Sequence, residues 1–216
     1  YGTQININFS NMFSINKTLA SDAEVLNQSG TVGYDSNFWQ LGEDQLFQEF
    51  NIEVSKKINR NLKLIGTYID LINNDKILKS QSIPENKQHE IIKAKIVILE
   101  SIIKTGSIKF PLFNKPARTS IRTEIQHLYT EQHFGNWAMG LIEYKISKLF
   151  FSVQDLYNYG YSEKPHYYST SIGYNQGAHR IAITYGKQRQ GLFCVGGVCR
   201  EVPASNGFLI SLTSSF

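Results

Sequence analysis

The sequence predicts an all-β chain folded as a transmembrane antiparallel up-and-down β-barrel, and three observations predict it. Residues of opposite polarity alternate through successive runs, most of these runs are ten to thirteen residues long, and the connections between them are by turns long and short. Strand side chains point to opposite faces with a period of 2, so the alternation gives each run one apolar and one polar face. Soluble strands average about 5 to 6 residues. A tilted strand crossing a bilayer needs about 9 to 11. Long connections alternating with short ones fit loops on one side of a membrane and turns on the other.

Composition agrees with that class. Charged residues are 19% of the 216, below the roughly 25% of a soluble domain, while aromatics reach 12% with 12 Tyr and 13 Phe. The net charge of +4 comes from 22 Lys+Arg against 18 Asp+Glu with no basic block, so nucleic acid is not an expected partner. A membrane helix needs about 18 to 20 uninterrupted apolar residues. The best candidate, AKIVILESII, is broken by Lys95 and Glu100. The chain starts at Tyr1 with no initiator Met and no charged-then-apolar leader, and reads as processed or excerpted.

Strands are expected, in order, over 3–10, 12–19, 45–55, 62–73 and 89–102, and then over better-marked runs. In TSIRTEIQHLYT, Ile121, Thr123, Ile125 and Tyr129 oppose Arg122, Glu124 and Gln126. NWAMGLIEYKI sets Ala138, Gly140, Ile142, Tyr144 and Ile146 against a mixed face ending in Glu143 and Lys145. LFFSVQDLYNYG sets Leu149, Phe151, Val153 and Tyr157 against Phe150, Ser152 and Gln154. In HYYSTSIGYN, Tyr168, Thr170, Ile172 and Tyr174 oppose Tyr167, Ser169, Ser171 and Gly173. AHRIAITYGKQR puts Ile181, Ile183 and Tyr185 opposite Arg180, Ala182 and Thr184. The last run, SNGFLISLTSSF, carries Phe208, Ile210, Leu212 and Phe216 on one face and Leu209, Ser211 and Thr213 on the other. One connection breaks the rhythm: 103–118, with Pro111 and Pro116, is long where a short turn is expected.

That makes eleven strands in a single domain over 1–216. Single-chain bacterial barrels have an even number, so a strand or strands upstream of Tyr1 are expected, for about 12 to 14 in the complete barrel. Lipid offers no water to backbone N–H and C=O groups, so the sheet must close and the last strand is expected to pair with the first. With Phe216 at the periplasmic edge, outward aromatics gather at both water boundaries as a girdle. Tyr129, Tyr157, Tyr168 and Tyr185 fall near the loop side, and Tyr144, Tyr174 and Phe216 near the turn side. A soluble β-sandwich would alternate as well, but gives no reason for aromatics at both ends of one face.

The terminal face of Phe208, Ile210, Leu212 and Phe216 resembles the C-terminal signal by which the barrel-assembly machinery recognises its outer-membrane clients. Over about 118–216, RTEIQHLYTEQHFGNWAMGLIEY, YNYG and RIAITYGKQRQGLFCVGGVCREVPASNGFLISLTSSF resemble an uncharacterised outer-membrane barrel family of Bacteroidota, a domain of unknown function. The resemblance implies a bacterial outer-membrane location and a β-barrel, and no established activity.

Three groups of residues remain as candidate sites. CVGGVC holds both cysteines. With Gly196-Gly197 as a two-residue turn, Val195 and Val198 close the hairpin and Cys194 faces Cys199 in a closely spaced cross-strand pair that a disulfide can bridge. Free thiols or a metal pair are the rivals, but C-x4-C lacks the usual ligand spacing and no nearby His completes a site. A staple there fixes loop shape and suits an oxidising compartment. The polar rows, with Arg122, Glu124, Gln126, Glu143, Lys145, Gln154 and Arg180 joined by Ser152, Ser169 and Ser171, either plug a narrow lumen through mutual neutralisation or line a transport path. His127 and Asp155 raise the thought of a rim hydrolase, yet no nucleophile motif or paired-carboxylate spacing accompanies them, so no catalysis and no cofactor is expected. Phe38 and Trp39 are a weak hint of a partner-binding loop. The expected partners are outer-membrane lipid, the assembly machinery, and other outer-membrane proteins or lipoproteins. The reading is a structural or accessory barrel of a larger envelope complex; the alternative is a narrow channel for small solutes or apolar ligands.

Overall fold

The computed structural model describes residues 2–13, 45–74, 91–109, 116–131, 135–189 and 204–214, and the backbone of 191–195 and 198–202. Every regular element within them is a β-strand: β1 (Thr3–Phe13), β2 (Gln45–Lys57), β3 (Leu62–Asn74), β4 (Ile91–Ile108), β5 (Ala117–Tyr129), β6 (Trp137–Ile146), β7 (Leu149–Asn158), β8 (His166–Gln176), β9 (His179–Gln188), β10 (Gly191–Val195), β11 (Val198–Val202) and β12 (Ser205–Ser214). Ten of them form one antiparallel meander in the order β1-β2-β3-β4-β5-β6-β7-β8-β9-β12, and β10 pairs with β11 as a separate hairpin between β9 and β12.

The local sequence explains the short connections. Two residues, Gly177 and Ala178, separate the closing pair Gln176 and His179, and Gly177 takes φ 61°, a left-handed conformation that glycine adopts without a Cβ penalty. Ser147 fills the same place between β6 and β7 at φ 54°. Between β2 and β3 the Asn59 carboxamide accepts bonds from the backbone N–H of Asn61 and of Leu62, both at 2.8 Å, an Asx-type turn. These connections lie at one end of the sheet, the turn end. The chain leaves β5 for β6, β7 for β8 and β9 for β12 at the other, the loop end.

Alternation is strictest in β9, whose residues are exposed and buried in turn along all 10 positions. The register carries that alternation across the sheet. Ile210, Ile183, Ile172, Phe151, Tyr144, Ile121, Ile103 and Leu62 are successive partners in one apolar row crossing β12 to β3.

Three expectations change. First, the break expected between 10 and 12 is absent: β1 continues through Met12 and Phe13, because Ser10 and Asn11 stay in the ladder opposite Glu49 and Gln48. Residues 14–19 of the expected second strand lie outside the described residues. Second, half of the long 103–118 insert is strand. β4 runs on to Ile108, with a register shift between Lys104 and Gly106, and β5 starts at Ala117, so the connection shrinks to 109–116. A bulge adds a residue to one strand without ending the pairing. Third, the ladder does not close among the described residues: β1 pairs with β2 alone and β12 with β9 alone, so the expected pairing of last strand with first is not made. Ten strands of the sheet thus stand where eleven were expected, while the connection before the last strand carries the hairpin expected around CVGGVC, with Cys194 opposite Cys199 and Val195 opposite Val198.

Candidate functional site

The two faces of the sheet have opposite chemistry, and the apolar one is open. Phe208, Ile210 and Leu212 are 78%, 69% and 76% exposed, and Ile7, Leu99, Ile125 and Ile142 are each exposed by at least 60%. Facing the other way, Glu124, Glu143, Ser152, Ser169, Ser171, Arg180 and Thr184 are buried. A water-soluble sheet buries its apolar face, so this polarity is inverted.

The buried face is held together by polar contacts. Glu143, opposite Arg122 in the register, is fully buried and pairs with Lys145 at 3.0 Å. Arg122 donates to Glu100 at 3.1 Å and to Glu124, and the Gln126 carboxamide N–H also donates to Glu124. Glu100 and Glu124 are direct cross-strand partners, so Arg122 bridges two carboxylates that would otherwise repel. Ser171 and Thr184 share a hydrogen bond of 2.8 Å one row along. Nearer the turn end Phe150 is fully buried, with the Arg180 guanidinium over its ring at 4.6 Å. Gly173 makes the room: a Cβ there would stand 2.4 Å from the Phe150 ring. Gln154 lies on this face too, opposite Leu141 and Ser169.

The tyrosines mark the outer face. Tyr185 and Phe208 are register partners with ring centroids 4.7 Å apart. Tyr129, Tyr168 and Tyr185 are exposed, and Tyr144, Tyr157 and Tyr174 are half-buried on the same face. The Tyr129 hydroxyl donates to Glu131 at 3.1 Å and the Tyr174 hydroxyl to Gln176 at 2.9 Å. Each acceptor lies two residues further along its strand direction, toward the loop end for Tyr129 and toward the turn end for Tyr174, so the two phenols point away from each other.

At the loop end, Arg189 lies over the Trp137 ring at 4.3 Å, and burial there pulls its guanidinium below its usual value. His127 and Asp155 are not brought together. His127 bonds and stacks with Tyr159, and Asp155 pairs with His166 at 2.8 Å. Cys194 and Cys199 are register partners one step from the terminal pair Val195 and Val198. Phe216, Phe38 and Trp39 lie outside the described residues.

Sequence reasoning missed Glu100. It sits in KIVILESII, where Ile96, Ile98 and Ile102 share its face, so the polar alternation that marks the inner row elsewhere is lost. It missed the basic turn end of β4 and β5 for a related reason, having read 103–118 as a connection. The pairing register recovers both.

No curated protein and no solved structure matches the chain. A family model does match, over residues 1–216, and so beyond the 118–216 stretch where the quoted motifs are concentrated. The chain therefore belongs to a family of unknown function, DUF6029.

Proposed function

We propose that the chain is the wall of a β-barrel in a bacterial outer membrane, of Bacteroidota origin, and that it serves as a structural or accessory component of a larger envelope assembly, without catalysis. The observation that carries this reading is the inverted sheet: of an apolar row eight strands wide, Ile210, Ile183, Ile172, Phe151 and Ile103 are exposed and the other three half-buried, while charged side chains are buried behind it. Burying a charge costs several kcal/mol unless it is paired, and exposing apolar area to water costs about 25 cal/mol per Å². Hydrocarbon against the open face removes the second cost, and the Arg122 network offsets the first.

Strand tilt supports the same solvent. Moving from Tyr185 to Tyr168 to Tyr157 to Tyr129, the register steps six residues toward the loop end over the four pairings from β9 to β5. Six residues are about 20 Å along a strand and four pairings about 19 Å across, so these tyrosines are level when the strands tilt by about 45°. From Tyr174 to Tyr144 the step is two residues over two pairings in the same sense, about 7 Å against 10 Å, or about 35°. Membrane barrels tilt their strands by about 35–45°. The divergent phenol hydroxyls then reach toward the two headgroup layers, where aromatic belts belong.

Lipid also demands that β1 and β12 find partners, which about 12 to 14 strands in the complete barrel supply. Opposite charges neutralised within the interior favour a filled lumen over a conducting one. The C-terminus lies at the periplasmic face, with the apolar row of β12 available to the assembly machinery.

Spin labels test the solvent assignment. With both cysteines replaced by serine, a nitroxide at Ile183→Cys or Ile210→Cys should be relaxed by oxygen and shielded from a water-soluble nickel chelate in reconstituted vesicles. A label at Gln154→Cys should show less oxygen relaxation. Equal nickel access at all three, or a monodisperse protein in plain buffer, would sink the barrel.

A further inference from the structure

At the turn end the interior opens into a cavity of about 790 Å³ whose lining is basic. Four elements deliver one cation each: Arg60 from the β2–β3 turn, Lys104 from β4, Arg118 from the start of β5 and Lys145 from the end of β6. Lys104, Ser120 and Lys145 are successive partners in one register row, so two ammonium-bearing strands flank a hydroxyl, about 10 Å from one to the other. Arg118 lies two residues nearer the turn end on the same face as Ser120. Backbone bonds fix the frame: Lys104 N–H donates to the Asn61 carbonyl at 2.7 Å, and Ser147 N–H to the Arg118 carbonyl at 2.8 Å.

Charge is unbalanced here, in contrast to the Arg122 layer above. Among the described residues no carboxylate lines the cavity, and Arg60, Lys104 and Arg118 form no ion pair; Lys145 alone has one, with Glu143. Like charges gathered around one concave surface repel, and such a surface raises the local concentration of anions.

We propose that this cavity is a binding site for a phosphate-bearing anion. A carboxylate offers a single charge and two oxygens, which one guanidinium satisfies. A phosphate monoester brings a charge of about −1.5 to −2 and three acceptor oxygens, enough for the guanidinium forks of Arg60 and Arg118 together with Lys104. The Ser120 and Ser147 hydroxyls supply neutral donors beside them. The volume far exceeds a bare phosphate, so the group is carried on a larger molecule. That molecule is either a soluble phosphomonoester or a lipid whose headgroup ends in a phosphomonoester. The site stands on its own cations and does not depend on the outer face meeting lipid.

The experiment uses the full chain in a nonionic detergent, with two probes. Pyrophosphate is titrated by calorimetry, and micelles doped with phosphatidic acid are compared with phosphatidylcholine by native mass spectrometry. The double variant Lys104→Gln/Arg118→Gln changes only exposed side chains, and Lys104→Arg/Arg118→Lys keeps their charge. One saturable pyrophosphate site, weakened at least tenfold in the glutamine variant, retained in the charge-keeping one and weakened by salt, assigns a soluble phosphomonoester. Selective phosphatidic acid retention with the same variant pattern and no pyrophosphate binding assigns a headgroup. Absence of both, or equal binding by wild type and the glutamine variant, overturns the site, while the spin-label result on the outer face stays as it was.

Discussion

Replacing Arg122 with Met should destabilise the sheet more than any other single change on its polar face. The methionine keeps most of the packing volume and removes the cation that bridges Glu100 at 3.1 Å and Glu124. What remains is a pair of carboxylates directly opposite each other in the β4–β5 ladder, with the buried Glu143 one strand away on β6. Two charge-assisted hydrogen bonds are worth about 1.5–3 kcal/mol each, and breaking a buried ion pair costs about 3–5 kcal/mol. The Arg122 side chain is 25% exposed and that of Glu100 18%, so solvent screens part of the loss. An expected cost of about 2–4 kcal/mol follows. A double-mutant cycle isolates the bridge. Glu124→Gln alone removes an acceptor but also a like charge opposite Glu100, and the double variant should recover about 1–3 kcal/mol relative to the sum of the singles. The assay is equilibrium urea unfolding of the chain reconstituted in phospholipid vesicles, followed by gel mobility of folded and unfolded forms. An unchanged midpoint for Arg122→Met, or strict additivity in the cycle, would refute the claim that the polar interior is held by neutralisation.

Other consequences are as definite. Gly173→Ala places a Cβ 2.4 Å from the Phe150 ring and 2.7 Å from the Ile181 carbonyl, and should cost about 1–3 kcal/mol in the same assay; adding Phe150→Leu should return part of it, since the carbonyl contact remains. The thiols of Cys194 and Cys199 should resist a maleimide until a reductant is added. Cys194→Ser should leave the unfolding midpoint of the ten-stranded sheet nearly unmoved while speeding proteolysis within the hairpin, which lies outside that sheet. In planar bilayers the chain should be electrically silent; a reproducible unitary step, abolished by bulkier inward residues, would favour the narrow-channel alternative.

Much of the sheet is legible in the sequence wherever one face is uniformly greasy and the other uniformly polar. β9 is the clearest case: Ile181, Ile183 and Tyr185 against Arg180, Ala182 and Thr184 admit one register, because a slip of one residue would swap every side chain. β4 is the counterexample. Its run of isoleucines is apolar on both faces through Ile96 to Ile103, so period 2 says little about which side Glu100 takes. Past Lys104 the bulge shifts the register, and period-2 counting loses its phase. β1 was misread for a simpler reason. Ser10 and Asn11 have turn chemistry, yet their backbone groups are satisfied across the ladder by β2, and tertiary pairing overrides local preference. The basic cavity leaves no signal along the chain, since its cations come from four elements and meet only after the strands are paired. No spacing along the chain joins Arg60 to Lys145.

The polar face is layered by charge along the strands, and in the barrel proposed above the layering bears on what a lumen would pass. In that barrel, an anion entering from the turn end would first meet Arg60, Lys104 and Arg118, which attract it, and then a layer in which Glu143, Glu100 and Glu124 outnumber their partners Arg122 and Lys145 by one charge, which weakly repels it. A mobile cation meets the same layers with the signs exchanged. At an effective dielectric constant near 20, two unit charges 4 Å apart interact by about 4 kcal/mol, so either ion gains at one layer and loses at the next. A conducting pore keeps one sign along its path, with sites that hold the ion weakly enough to release it. Here the carboxylate layer is locked to Arg122 and Lys145, and the cations nearer the mouth are left over. For the barrel and the anion site proposed above, the arrangement suits a filled interior with one anion-holding end.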